Sequence, residues 1–347
     1  MGDFKIGNLP LDSSFFGTSE IEKIYFGTNL VWEKAAPTPT VNYFGIQNLG
    51  SEAFDFSIRT SDATHNPDLK YSLDNGATWT SYTAQPSGSE EAISLSPNAT
   101  IYWKGNNRDG LNIGTNKYVT MLFGGQTVKI FGNIMTLIDE TGATTAVPNL
   151  YCFYSLFLCA NSHMTIDNDL FANITSLQQN CFYNFFNSSV SYNYFDNNFT
   201  LTIDVSSTTL KQIPNGAFKS FTNLVFGSYT IDVSSAAAIY PSSLNLGTLN
   251  ANDTTSVRTI IFGKQLSYLA ASWLSTPIKG FKLVFPYTDN DTVSFDTSNI
   301  VTVGTNKNTV SIDIWTDNTT IKDACIAKRD QYTTVHVYYL NGTAWDV

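Results

Sequence analysis

Ser72, Asp74, Gly76, Thr78 and Trp79 are spaced as S-x-D-x-G-x-T-W, the pattern in this chain that most invites a chemical reading. Its physics is local: the aspartate accepts hydrogen bonds across a hairpin turn, the glycine supplies a positive φ, and the tryptophan packs beneath. The expectation is therefore a structural turn. Other acidic groups are no better arranged for catalysis. Asp139 and Glu140 are adjacent, so on a strand they point to opposite faces and do not form the facing carboxylate pair that glycoside cleavage needs. Asp289, Asp291 and Asp296 lie in a Thr/Asn-rich loop of the kind that suits calcium, but the spacing is not that of an EF-hand, and a solvated loop is expected. Cys152, Cys159, Cys181 and Cys325 contain no CxxC pair, and His65, His163 and His336 are scattered, which argues against zinc or a nucleophilic triad. Gly124-Gly125 lacks the lysine of a phosphate loop and reads as a turn. No catalytic residue, metal or cofactor is expected.

The S-x-D-x-G-x-T-W box recurs in sialidases, where it sits away from the chemistry. Those enzymes need several boxes, three arginines for the substrate carboxylate and a tyrosine nucleophile with a glutamate partner. This chain has one box and four dispersed arginines, Arg59, Arg108, Arg258 and Arg329, so a structural turn is expected rather than a sialidase.

Binding is a better prospect. Tyr183, Tyr192 and Tyr194 are aromatics in an Asn/Ser-rich setting. Sugars bind by stacking on such rings with amide hydrogen bonds alongside. The competing reading is that these tyrosines pack in a core or an interface.

The elements positioning them repeat. Ile174, Leu177, Phe182 and Phe185 recur 36 positions later as Leu210, Ile213, Phe218 and Phe221, and Cys152–Phe157 recurs 29 positions later as Cys181–Phe186. Short alternating runs follow each aromatic cluster at Met164–Asp167, Leu201–Val205 and Tyr229–Val233. Units of this length mark a solenoid whose neighbours must stack to bury an apolar side. Phenylalanines three or four apart predict one face of a short helical turn, and the alternating runs predict strands. Leu266, Leu269 and Leu274 continue the Leu210, Ile213, Phe218 register 56 positions on, with a faint unit near Ile239–Leu246 between them. Further strands are expected at Gly280–Tyr287, Ser298–Val303, Thr309–Trp315 and Val335–Leu340, a helix at Ile321–Asp330, and Trp345 pinning the end.

Val128–Leu137, Leu150–Phe157 and Ile213–Leu224 resemble the BspA-type leucine-rich-repeat proteins of gut Bacteroidales and their phages, including virion proteins of crAss-like phages. The resemblance covers about two thirds of the chain. It implies an irregular leucine-rich-repeat solenoid preceded by a β-domain, with Tyr71–Asp74, Trp79 and Ile101–Asn106 matching that domain's strands.

Upstream, Ile21–Glu33 reads as a hairpin turning at Gly27-Thr28-Asn29. It is similar to short elements of phage tail and fibre proteins, which implies a virion-docking or trimerising module with Tyr25 and Trp32 as docking residues. A Pro/Thr linker follows at 34–40. Short strands at about ten-residue intervals, including Ala53–Ile58, Leu69–Leu73, Thr78–Tyr82, Ala92–Leu95 and Thr100–Lys104, predict an Ig-like β-sandwich over 41–132, leaving 133–347 to the solenoid and its cap. The expected class is thus mainly β with short helices: N-terminal hairpin (1–33), small sandwich, repeat stack.

A net charge of −10 repels polyanions, so nucleic acid is not an expected partner. With charged and aromatic residues each at 14% and abundant Asn, Thr and Ser, large solvent-facing polar sheets are expected. No run reaches the ~18 apolar residues that span a bilayer, so no membrane insertion is expected. Met1–Phe16 does not read as a secretory signal, which favours a phage protein assembled in the host cytoplasm over an exported adhesin. The expected function is a bacteriophage virion fibre or appendage protein, a homo-oligomer with a trimer favoured. It would be joined to other virion proteins by its N-terminus and meet a host-surface glycan or protein through its repeats. A bacterial surface adhesin and a glycan-cleaving tail protein remain the alternatives.

Overall fold

A computed structural model describes the backbone of strands within 5–33 and, beyond them, residues 41–158, 161–187, 193–222, 225–244, 246, 255–274, 280–301, 311–328 and 334–345. The chain divides into two compact units, Met1–Thr40 and Val41–Val347. In the first, the hairpin expected within Ile21–Glu33 is present as Lys23–Phe26 with Asn29–Glu33, and two further antiparallel pairs precede it: Lys5–Ile6 with Leu9–Pro10 and Ser14–Phe16 with Ser19–Ile21. In the last pair Ile24 lies opposite Trp32 and Tyr25 opposite Leu30, a register shift that leaves Val31 as the extra residue of a bulge. The 34–40 linker lies outside the described residues.

The second unit is mainly β. It opens as two antiparallel sheets, one ordered Thr80–Tyr82, Leu69–Ser72, Thr100–Lys104, Phe44–Asn48, Thr127–Phe131, the other Ile93–Leu95, Phe54–Thr60, Val119–Leu122. Alternation drives the layer. In Phe54–Thr60 every second residue is buried, and Phe56 meets Trp103 of the other sheet with ring centroids 5.6 Å apart. Phe44–Asn48 and Val119–Leu122 had no sequence expectation; nearly every residue in them is buried, which erases the period-two signal.

Both sheets then turn parallel without a break. Thr127–Phe131 pairs antiparallel with Phe44–Asn48 and parallel with His163–Ile166. Val119–Leu122 pairs antiparallel with Phe54–Thr60 and parallel with Phe157–Leu158. The boundary expected at 132/133 is therefore crossed by both sheets. Asn193–Phe195 and Val225–Phe226 extend the first ladder, and a six-stranded parallel sheet follows: Phe199–Thr202, Tyr229–Asp232, Arg258–Ile261, Phe281–Thr288, Ser311–Asp317, Thr334–Tyr338. In it Leu201 pairs with Ile231, so the runs align two residues away from Leu201 against Tyr229; a two-residue shift keeps every side chain on its face.

Where helical turns were expected, the chain forms open hydrogen-bonded turns. Phe153, Ser155 and Phe157 donate their backbone N–H to the carbonyls of Cys181, Tyr183 and Phe185 at 2.8–3.0 Å, and Phe182, Asn184 and Phe186 do the same to Ala217, Lys219 and Phe221. A helix would use those groups internally. Left-handed residues recur at fixed places in these turns: Tyr151, Asn180 and Gly216 at one end, Ser155, Asn184 and Ser220 at the other. The phenylalanines stack rung on rung inside, Phe153 on Phe182 (5.2 Å), Phe182 on Phe218 (5.4 Å) and Phe185 on Phe221 (5.4 Å, 2° between planes). Cys152 and Cys181 are buried free thiols, as is Cys325; burial pushes the latter two up to about 12.

The single α-helix among the described residues runs Thr319–Ile326, starting earlier than expected because Asn318 caps it, its side chain accepting from the Ile321 N–H. Thr297–Asn299 is a 3₁₀ turn capped by Asp296, not the start of a strand. Trp345 closes the end, stacking on Tyr339 at 4.1 Å and donating its indole N–H to the Thr316 carbonyl. Among the described residues no helix is long and apolar enough to cross a membrane.

Candidate functional site

The Asp74 turn is a closed local network. Asp74 accepts from the Ser72 hydroxyl (2.7 Å), the Thr78 hydroxyl (2.6 Å) and the Thr78 N–H (2.9 Å); Gly76 donates to the Ser72 oxygen, and the Trp79 indole N–H to the Gly76 carbonyl. These bonds, the Ser72 hydroxyl first, draw the Asp74 carboxyl down to about 2. Gly76 has φ +84° and sits against Tyr43 and Trp79. Each of these polar side chains has a partner within the motif.

The other acidic candidates are committed to separate neighbours. Asp139 accepts from Thr141 and Thr144, whereas Glu140 pairs with Lys70 and Lys104. Asp289 accepts from Thr319, Asp291 from Lys264 and Thr288, Asp296 from Ser298. Among the described residues no group of three or more potential metal ligands converges.

The tyrosines fall in two lanes. Tyr194 is exposed on the strand ladder, its ring sandwiched between His163 (4.6 Å, 12°) and Phe226 (5.2 Å, 12°), which occupy the same register on the flanking strands. His163 also meets Asp196 at 2.8 Å. Rings this close leave no room for a sugar between them, so the lane presents ring edges rather than faces. Tyr183 lies on the turns, half-buried, edge-on to Tyr154 at 5.4 Å with the Lys219 ammonium 5.2 Å from its centroid; burial raises its hydroxyl pKa. Tyr183 and Tyr194 share no ring contact, and Tyr192 lies outside the described residues. Tyr25 and Trp32 are described by backbone alone.

A third lane escaped sequence reasoning. Ala146 bridges Ser176, and Gln212–Ile213, Ala238–Ile239 and Tyr268–Leu269 form their own parallel ladder. Val147, Leu177, Ile213, Ile239 and Leu269 point inward and are buried. The outward series is Ala146, Ser176, Gln212, Ala238, Tyr268. Among the described residues no strand pairing joins the Ser176 rung to the Gln212 rung. A recess of about 250 Å³ opens there, lined by Ser176, Leu177, Val205, Thr208, Thr209, Leu210 and Gln212. The expected equivalence of Leu210 with Ile174 fails: Ile174 is fully buried and Leu210 is 66% exposed on the rim. The Val205–Lys211 segment makes its own turn, with Thr208 bonding the Val205 carbonyl and the Lys211 N–H, and Lys211 at φ +43°. The sequence signal was the unit length: 36 positions separate Ser176 from Gln212, against 26 and 30 for the next two rungs.

Some asparagines serve the interior rather than the surface. Asn48, Asn107, Asn112, Asn133, Asn193 and Asn318 are buried. Comparison with family models, curated proteins and solved structures finds no match.

Proposed function

We propose that this chain is a bacteriophage virion fibre or appendage protein whose stacked units form a leucine-rich-repeat solenoid used for host attachment. Its N-terminal hairpins join it to other virion proteins, as a homo-oligomer with a trimer favoured. The observation that supports this reading most is the pair of long parallel ladders, which hold outward side chains in fixed lanes one strand spacing apart, about 4.8 Å. Such a surface is rigid before it meets a ligand, so little ordering cost opposes binding. Many copies on one particle turn weak individual sites into firm attachment. The carboxylates described above, each tied to a different neighbour, favour adhesion over cleavage. Antibody against the chain should decorate appendages of intact particles in negative-stain microscopy, and the fluorescent purified chain should stain host cells. Undecorated particles would refute the virion assignment, and unstained hosts the attachment role.

A further inference from the structure

We infer that the lane Ser176–Gln212–Ala238–Tyr268 is a binding groove for a neutral, linear oligosaccharide, with the recess beside Gln212 taking one sugar ring. This rests on the attachment reading and gives it a site and a ligand class. Three observations converge. The recess lining holds three hydroxyls and one amide, from Ser176, Thr208, Thr209 and Gln212, against aliphatic walls of Leu177, Val205 and Leu210, with no ionisable side chain. That mixture suits a ligand with hydroxyl groups on an aliphatic ring, and a charged ligand would find no counter-ion. At about 250 Å³ the space is below that of a drug-sized pocket and fits a single ring.

Leu210 stands 66% exposed on the rim, although a large aliphatic side chain gains by burial. A bound ring covers it. Two rungs further on, roughly 10 Å at the usual strand spacing, stands Tyr268 (47% exposed); Tyr240 (38% exposed), which follows the intervening Ala238–Ile239 rung, is tilted 50° to it with centroids 5.4 Å apart. Among the described residues neither ring is stacked flat between two others as Tyr194 is, which leaves a face for a sugar's C–H groups. Between the recess and Tyr268 lies Ala238, whose small side chain leaves the floor of the lane low. Recess, flat floor and aromatic platform in line along the stacking direction suit a chain of linked rings.

The test uses the full chain on an array of neutral linear gluco-, galacto- and manno-oligosaccharides, with uronic-acid and sialic-acid oligosaccharides as acidic comparators. Neutral oligomers should be retained and acidic ones not. Ala238→Arg, which blocks the floor, and Tyr268→Ala should each weaken binding at least tenfold, while Tyr194→Ala leaves it unchanged; matched thermal melts establish that the variants fold. Binding unaffected by Ala238→Arg, binding confined to acidic glycans, or a silent array overturns the groove. Host-cell staining separates the two ideas. Staining that persists in Ala238→Arg overturns the groove and leaves attachment standing. A positive array with unstained cells overturns attachment and leaves the groove.

Discussion

A fully buried asparagine is tolerable only where its amide replaces backbone that the fold interrupts, and Asn112 does this. Its Oδ1 accepts from the Val119 N–H at 2.8 Å, and its Nδ2 donates to the Tyr154 carbonyl at 2.8 Å. Asn197 copies the device beside Ile166, accepting from its N–H and donating to its carbonyl. Asn112→Ala should cost about 1–3 kcal/mol by leaving these backbone groups unsatisfied. Asn112→Asp should cost at least as much, because an oxygen replaces the donor facing Tyr154 and brings a charge into the core. Urea denaturation checks both, and an aspartate variant as stable as wild type would refute the assignment. Asp74 supplies a pH test. Its carboxyl is held at about 2, below the unfolded value of about 3.9. Its contribution is complete above about pH 4 and lost as the pH falls through about 2. The melting temperature should drop across that window, and less steeply in Asp74→Asn. Equal slopes would show that the turn does not couple to folding. The local bonds of this turn were legible in the sequence because the motif is contiguous. Asn112 was not, because its partners Val119 and Tyr154 are brought to it by folding.

At the scale of an element, the repeated turn shows how sequence spacing can mislead. Phenylalanines four apart suit a helical face, yet here they suit an open turn whose alternate N–H groups bond to the next rung. The deciding feature is the left-handed residues at Ser155, Asn184 and Ser220, with φ 48°, 54° and 51°. Asn184 hints at such a conformation by type; serine hardly does. Ser220→Val should therefore lower stability by about 1–2 kcal/mol, the usual penalty for a side chain in that region. Ser220→Gly should be neutral or stabilising. Thermal melts of the two variants decide it, and a harmless valine would mean the turn does not need this backbone. Inward positions such as Phe182 and Phe218 were legible because burial repeats at the unit length. Leu210 was misjudged because its equal offset from Ile174 hides the looped Val205–Lys211 segment. The stacking of Tyr194 was illegible for another reason: its ring plane is set by His163 and Phe226 on separate strands.

At the scale of the whole molecule, the junction of sandwich and ladder determines how Val41–Val347 should unfold. A parallel ladder needs covered ends, since an open edge exposes apolar surface and unpaired backbone. At the far end the Thr319–Ile326 helix and Trp345 lie over the last strands. At the near end the sandwich serves, because Thr127–Phe131 and Val119–Leu122 each carry an antiparallel neighbour on one side and a parallel rung on the other. Buried hydrophobics from Phe44 to Val337 form one contiguous core, in which the rings of Phe44 in the sandwich and Phe157 in the ladder pack with centroids 6.1 Å apart. A cut after residue 132 would expose one edge in each sheet of the sandwich and strip the first rung from the ladder. The isolated 41–132 fragment should then aggregate or fail to melt cooperatively, while calorimetry of 41–347 should give one transition in which sandwich and first rungs unfold together. Hydrogen exchange offers the sharper reading: amides of Val128–Ile130 and Met164–Ile166 should open with a common free energy, because each strand loses one of its two ladder partners when the other leaves. Two well-separated transitions, with the 41–132 fragment melting where the sandwich melts in the intact chain, would mean that the shared strands join two independent bodies instead of coupling one.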